Sequence, residues 1–148
     1  MVSSSSAGYA GDIAAAEAWD RLRADPRAQL IDVRTMAEWN FVGLPDLSPM
    51  DRHVHCIEWQ MFPSMSVNPD FTREAAEALK QAGADRDTPI FLLCRSGGRS
   101  RAAAMALTAE GFTAAFNLVG GFEGDLDGER HRGQRGGWKA AGLPWRQS

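Results

Sequence analysis

The chain has 148 residues, 44% of them hydrophobic and 24% charged, and a formal net charge of −3 at pH 7. This length and composition are typical of a globular domain. The slight net acidity argues against a nucleic-acid-binding surface, and no apolar run approaches the length of a membrane-spanning helix. We therefore expect neither a nucleic-acid partner nor a membrane partner.

The N-terminal residues 1–8 are rich in serine and carry neither the basic start nor the apolar stretch of a signal peptide. We expect a disordered lead-in over 1–8, a single domain over 9–148, and a cytoplasmic location. Glycines and charged residues are frequent from residue 122 onward. This C-terminal segment is predicted to pack on the domain as a short helix followed by a tail.

The domain begins with a predicted edge strand at 9–11, and Asp12 is expected to cap a helix over 13–24. Thr35 and Glu38 have the spacing of a capping box at the start of a second, short helix. The other predicted elements, in chain order, are a strand over 29–34, a strand over 53–59, a loop over 60–70, a helix over 71–82, a strand over 89–93, a helix over 99–110 and a strand over 113–119. Strands that alternate with helices predict an α/β domain with a parallel sheet, in which sites form at the carboxyl ends of strands.

The most informative segment joins the strand over 89–93 to the next helix. The apolar run ends at Cys94, and a glycine-containing loop with Arg95 and Arg99 follows it. Backbone N–H groups of the loop, the positive end of the helix dipole and the two arginine charges all favour a thiolate, which is the nucleophilic form. We interpret Cys94 as a nucleophile that handles anionic substrates. The alternative is an inert cysteine at the end of a buried strand.

The other cysteine, Cys56, lies in a segment that alternates like a strand. Its neighbours His53 and His55 share one strand face, and Cys56 faces the other way. A metal site would need a further ligand, and His131 is the only other histidine. We therefore predict no metal, and we leave open whether Cys56 resolves an oxidised or sulfurated Cys94.

Three motifs occur in order: Leu-Ile-Asp-Val-Arg-Thr-x-x-Glu-Trp over 30–39, Cys-Arg-Ser-Gly-Gly-Arg-Ser over 94–100, and Asn-Leu-Val-Gly-Gly-Phe-Glu-Gly over 117–124. Together they resemble the rhodanese family, and in particular its single-domain thiosulfate sulfurtransferases. The resemblance covers roughly residues 10 to 145. The Gly-His-Ile that usually follows the first motif is absent, and Gly-Leu-Pro-Asp over 43–46 stands in its place.

The resemblance implies an open α/β domain whose mostly parallel, five-stranded sheet is flanked by helices. It also implies that Cys94 carries sulfur as a persulfide, from an anionic donor such as thiosulfate to a nucleophilic acceptor such as cyanide or a protein thiol. No metal or organic cofactor takes part in this chemistry. The expected persulfide cradle consists of Arg95, Ser96, Gly97, Gly98, Arg99 and Ser100. Asp32, Arg34 and Glu38 are expected to form one buried polar network that supports the loop.

Two other functions remain as alternatives. Protein tyrosine phosphatases and arsenate reductases also use a thiolate held in a loop, and the phosphatases resemble Cys-x5-Arg. Here Ser100 stands six positions after Cys94, and Arg99 comes one residue earlier, which makes a smaller cradle. The second alternative is a non-catalytic rhodanese-like module that binds or regulates a partner, although such modules often lack the cysteine.

Overall fold

The computed structural model describes residues 8–132 and 136–147. The expected disordered lead-in lies outside the described residues, apart from Gly8. None of the helices in these two ranges is both long and apolar enough to cross a membrane.

A five-stranded parallel sheet forms the centre of the fold, as the sequence predicts. Its strands are Gly11–Ile13 (β1), Gln29–Asp32 (β2), His55–Cys56 (β4), Ile90–Leu93 (β7) and Ala115–Leu118 (β8). They lie in the order β1-β8-β7-β2-β4, and every neighbouring pair is parallel. β2 and β7 are buried along their whole length, which is typical of central strands in a parallel sheet that is covered on both faces.

Helices cover both faces of this sheet. Their bounds are Ala15–Ala24 (α1), Met36–Phe41 (α2), Phe71–Gln81 (α3), Gly98–Ala109 (α4) and Gly137–Ala140 (α5). Alternation along β7 divides the core: Ile90 and Leu92 pack with residues of α3 and α4, whereas Phe91 and Leu93 pack with residues of α1 and α5. The result is the three-layer α/β architecture that the resemblance implies.

At the N-terminal edge strand of the sheet, the predicted bounds of the first strand and the predicted start of the first helix are wrong. Helix α1 begins at Ala15, and Ala14 occupies the cap position without a side-chain hydrogen bond. Asp12 lies within β1 instead, where its carboxylate accepts hydrogen bonds from Tyr9 and Asn117. The carboxylate is therefore engaged by one residue close in sequence and one from β8, and not by the helix.

The irregular segments also hold more structure than the sequence predicts. The expected strand over 53–59 is regular only at His55–Cys56, because it is an edge strand that pairs with β2 alone. The expected loop over 60–70 contains an antiparallel hairpin of Gln60–Met61 (β5) and Ser66–Val67 (β6). The C-terminal tail forms Trp145–Arg146 (β9), which pairs with Leu44–Pro45 (β3) at the sequence that replaces the usual Gly-His-Ile.

Candidate active site

Cys94 follows β7 directly and lies at the carboxyl edge of the sheet, four residues before the start of α4. Its side chain is only 2% exposed and shares the sheet face of Ile90 and Leu92. The Gly97 N–H donates a hydrogen bond to Cys94 Sγ over 3.1 Å. Gly97 has a φ of +127°, a conformation that side chains rarely adopt, so the glycine allows the loop to turn its N–H toward the sulfur.

The hydroxyl of Ser100 is the second polar group at the sulfur. It is buried in the first turn of α4, with its Oγ 3.3 Å from Cys94 Sγ. The same Oγ lies 2.6 Å from Oδ1 of Asn117. Of the remaining cradle residues, Ser96 is half-buried in the loop, and Gly98 is exposed at the first position of α4.

The third motif fixes the loop from the other side through its backbone. Phe122 N–H donates to the Cys94 carbonyl over 2.7 Å, and Glu123 N–H donates to the Arg95 carbonyl over 3.0 Å. Gly121 lies so close to these carbonyls that a Cβ on it would come within 2.7 Å of the Arg95 carbonyl oxygen and nearer still to that of Cys94. Because the carbonyls are held outward in this way, the N–H groups of the loop can turn toward the sulfur.

The two loop arginines have different surroundings. Arg99 forms a two-pronged ion pair with Glu38, with Nη1–Oε1 and Nη2–Oε2 distances of 2.7 and 2.9 Å. Arg95 is exposed and forms no salt bridge within the described residues. Of the two side chains, the guanidinium of Arg95 is therefore the one left available to an incoming anion.

The ion pair with Arg99 also determines the charge of Glu38. Burial by itself raises the pKa of this carboxyl, but hydrogen bonds from Arg99 and Thr35, together with the charge of Arg99, outweigh burial and lower the pKa to about 2. Burial lowers the pKa of Arg99, but the hydrogen bond and charge interaction with Glu38, together with charge interactions with Cys94 and Asp32, outweigh burial, so that this pKa is raised. Both groups are therefore fully charged at neutral pH. Glu38 also completes the predicted capping box with Thr35.

Asp32 and Arg34 form a separate pair, not the single network with Glu38 that the sequence suggested. Both side chains are fully buried, and Arg34 Nη2 donates to Asp32 Oδ2 over 2.7 Å. Arg34 also donates to the carbonyl of Gly43 and lies over the ring of Phe122 at 4.3 Å. The pair thus joins the end of β2 to two neighbouring loops. Glu38 is instead the partner of Arg99.

Cys56 is not placed to form a disulfide with Cys94. In the sheet register, Asp32 pairs with Leu93 on one side and with Cys56 on the other. Two strand spacings, about 10 Å, therefore separate the backbones of Cys56 and Leu93, beyond the reach of a disulfide for the adjoining Cys94. Although part of Cys56 reaches solvent, desolvation of its thiol, together with the Asp32 charge, raises the pKa of Cys56 to about 12.

Two polar residues near the sulfur were not predicted to belong to the site: Asn117 was given no role, and Asp12 was expected only to cap a helix. Asn117 lies at the end of β8 and bonds to Ser100, and Asp12 bonds to Asn117 from the edge strand. Asn117 opens the third motif, so its position beside a glycine turn was visible in the sequence. Its distance from Asp12, 105 residues along the chain, left no local signal that the two side chains meet.

Comparison with known proteins agrees with this geometry. A family model described as the STR4 middle domain matches residues 10–148. The crystal structure of Rv0390 from M. tuberculosis is similar, with a TM-score of 0.81 and 48% identity, and the match covers 95% of this chain and 99% of that one.

Two curated relatives extend the comparison. An uncharacterized protein of Rickettsia prowazekii (strain Madrid E) is 34% identical over 134 residues, which cover 90% of this chain and 95% of the relative. The thiosulfate sulfurtransferase GlpE of Pseudomonas syringae pv. syringae (strain B728a) is 31% identical over 96 residues, which cover 65% of this chain and 70% of the relative. With its parallel sheet and with Cys94 in a loop that opens a helix, this chain belongs to the rhodanese-like family.

Proposed function

We propose that this protein is a sulfurtransferase that moves sulfane sulfur from thiosulfate, or a similar anionic donor, to a nucleophilic acceptor through a persulfide on Cys94. The observation that carries the proposal is the environment of the sulfur. Cys94 Sγ accepts the Gly97 N–H at 3.1 Å and lies just before the N-terminus of a twelve-residue helix. Such a site stabilises negative charge on sulfur.

In the first step the Cys94 thiolate attacks the outer sulfur of thiosulfate. A new S–S bond forms, the sulfur–sulfur bond of the donor breaks, and its electron pair leaves with sulfite. Arg95 is the guanidinium free to hold the sulfonate oxygens, for which arginine geometry is well suited. Arg99, engaged by Glu38, acts as a brace between α4 and α2.

In the second step the acceptor attacks the terminal sulfur of the Cys94 persulfide. The S–S bond breaks, and its electron pair returns to Cys94 as thiolate. Cyanide leaves as thiocyanate, and a thiol acceptor leaves as a persulfide. The reaction needs no external oxidant or reductant, and the intermediate divides one transfer into two displacements. We place it in the cytoplasm, where two free cysteines remain reduced.

Intact-protein mass spectrometry tests this proposal. Wild type treated with thiosulfate should gain the mass of one sulfur atom and lose it when cyanide is added. Cys94→Ser should gain nothing, and Cys56→Ser should behave as wild type, because the thiol of Cys56 is almost entirely protonated at neutral pH.

The same measurement can also contradict the proposal. If wild type gains no sulfur from thiosulfate, from inorganic polysulfide or from an organic persulfide, the sulfurtransferase proposal is wrong. A phosphatase assay and an arsenate reductase assay on the same variants then test the alternative enzymatic functions of a thiolate held in a loop. A Cys94→Ser protein that keeps its role in the cell would instead favour a binding module.

A further inference from the structure

A line of hydrogen bonds leads from the sulfur of Cys94 to the edge of the sheet. Ser100 Oγ lies 3.3 Å from Cys94 Sγ and 2.6 Å from Asn117 Oδ1. Asn117 Nδ2 donates to Asp12 Oδ1 over 3.0 Å. The hydroxyl of Tyr9 donates to the same carboxylate oxygen over 2.9 Å. Four side chains from β8, α4, β1 and the segment before β1 thus lie behind the reacting sulfur.

Counting donors and acceptors fixes the direction of these bonds. An ionised carboxylate can only accept, so Asn117 must turn its NH₂ group toward Asp12. The carbonyl oxygen of the same amide then faces Ser100, and it too can only accept. A serine hydroxyl has one proton. At 2.6 Å that proton lies between Ser100 Oγ and Asn117 Oδ1, and Ser100 turns a lone pair toward Cys94.

We infer that Asp12 is a positioning residue for Cys94: through the amide of Asn117 it directs the Ser100 proton away from the sulfur. Ser100 therefore donates no hydrogen bond to the sulfur and can only accept one from it. The loop N–H of Gly97 is left as the nearer donor to sulfur. The inference rests on the proposed function only in taking Cys94 as the reacting thiol.

Replacing Asp12 should therefore increase the reactivity of Cys94, whereas substitutions near an active site usually decrease reactivity. To donate to the thiolate, Ser100 must give up its short bond to Asn117. A variant that lets the Asn117 amide turn over would present NH₂ to Ser100 and release the hydroxyl proton. The proton then has two acceptors at 3.3 Å, Cys94 Sγ and the Gly97 carbonyl, of which a thiolate is the stronger. At pH values where the thiol is mostly protonated, Cys94 should then react faster with an alkylating agent than in wild type, because the hydrogen bond increases the thiolate fraction by more than it lowers the nucleophilicity of the thiolate.

Asp12→Asn is the variant that tests this. The new amide is the same size and can accept from or donate to Asn117, so both orientations of Asn117 become available. Asp12 is an exposed residue, and the change is compatible with folding. The experiment uses the Cys56→Ser background and follows iodoacetamide alkylation by intact mass at a series of pH values. On the rising limb of the rate–pH profile we expect Cys94 to react about twofold faster. One net hydrogen bond of about 1 kcal/mol raises the thiolate fraction about fivefold, and the weaker nucleophilicity of that thiolate offsets about half of the gain.

Asp12→Asn also removes a negative charge, and the loss of this charge by itself favours the thiolate form of Cys94. Two controls separate the causes. Asp20→Asn makes the same change of net charge on the exposed face of α1 and should leave the rate unchanged. In a Ser100→Ala background, Asp12→Asn should have no effect, because the hydroxyl that transmits it is gone. Asp12→Ala, which also frees the amide, should accelerate alkylation in the same direction as Asp12→Asn.

The inference is overturned if Asp12→Asn and Asp12→Ala alkylate at the wild-type rate or more slowly. It is equally overturned if the acceleration persists without the Ser100 hydroxyl, since the charge of Asp12 would then act directly through space. Alkylation reads the reactivity of Cys94 without any sulfur donor. Failure of thiosulfate to load the enzyme would therefore count against the proposed function alone, and an unaltered alkylation rate against this inference alone.

Discussion

Arg99 and Glu38 face each other as a two-pronged ion pair, with nitrogen–oxygen distances of 2.7 and 2.9 Å across 61 residues of chain. Both side chains are about four-fifths buried, with relative exposures of 19% each. The pair fastens the first turn of α4, directly after the loop of Cys94, to the short helix α2. It therefore distinguishes Arg99, which braces the loop, from Arg95, which forms no salt bridge within the described residues.

The first prediction concerns Glu38→Gln and pH. The pKa of Glu38 falls from 4.5 to about 2 on folding, so its carboxylate stabilises the folded state fully above pH 4.5 and loses that contribution as the pH falls toward 2. Near pH 7 the free energy of unfolding of the variant should be lower by about 1.5–3 kcal/mol, the range for hydrogen bonds to charged groups. Urea denaturation at pH 7 and at pH 3 measures the difference, which should be smaller at pH 3. An equal difference at both values would mean that the charge of Glu38 contributes nothing.

The second prediction concerns Arg95→Ala, which removes the guanidinium that no carboxylate engages within the described residues. We expect kcat/KM for thiosulfate to fall roughly tenfold to a hundredfold, since hydrogen bonds to charged groups contribute about 1.5–3 kcal/mol. Arg101→Ala is the matched control, because Arg101 is also exposed and lies in the first turn of α4. Steady-state assays with thiosulfate and cyanide compare the two. Equal losses would indicate a general effect of positive charge rather than a contact by Arg95.

The third prediction concerns Asp32→Ala, which leaves the fully buried Arg34 without its carboxylate. Breaking a buried ion pair in this way costs about 3–5 kcal/mol of folding free energy. Asp70→Ala removes a partner of the exposed pair with Arg73, and such surface pairs contribute at most about 1 kcal/mol. Chemical denaturation of both variants should show this contrast. A stable Asp32→Ala protein that has lost sulfur transfer would instead make Asp32 a participant in the chemistry.

The fourth prediction compares Gly121→Ala with Gly83→Ala. Both glycines have positive φ, +57° and +86°, so alanine pays a similar backbone penalty of about 1–2 kcal/mol at each. Around Gly83 a Cβ meets nothing within 4 Å, whereas at Gly121 it meets the carbonyls of Cys94 and Arg95. Gly121→Ala should therefore be the less stable variant and should also lose thiosulfate turnover, because the loop must move. Equal stability and activity in the two variants would show that the close packing at Gly121 is unimportant.

Local sequence determined the candidate nucleophile and the backbone elements that hold it. An apolar strand that ends at Cys94, the glycine at 97 and the helix that follows are all signals within a few residues, and so is the capping box of Thr35 and Glu38. Alternation of strands and helices likewise predicted the parallel sheet. These features depend on backbone preferences and on the spacing of apolar residues, which a single sequence displays directly.

Only the tertiary structure decided which charged and polar groups meet. Arg95 and Arg99 look equivalent in the sequence. The fold alone supplies Glu38 to Arg99, and it gives Arg95 no salt bridge in the part of the chain that the structure describes. In the same way, Asp12 looked like a helix cap, but parallel pairing of β1 with β8 brings it to Asn117. Such partners are set by the register of strands far apart in the chain, and residue type carries no record of that register. The sequence by itself therefore determined where the candidate nucleophile lies, and the fold determined the groups that surround it.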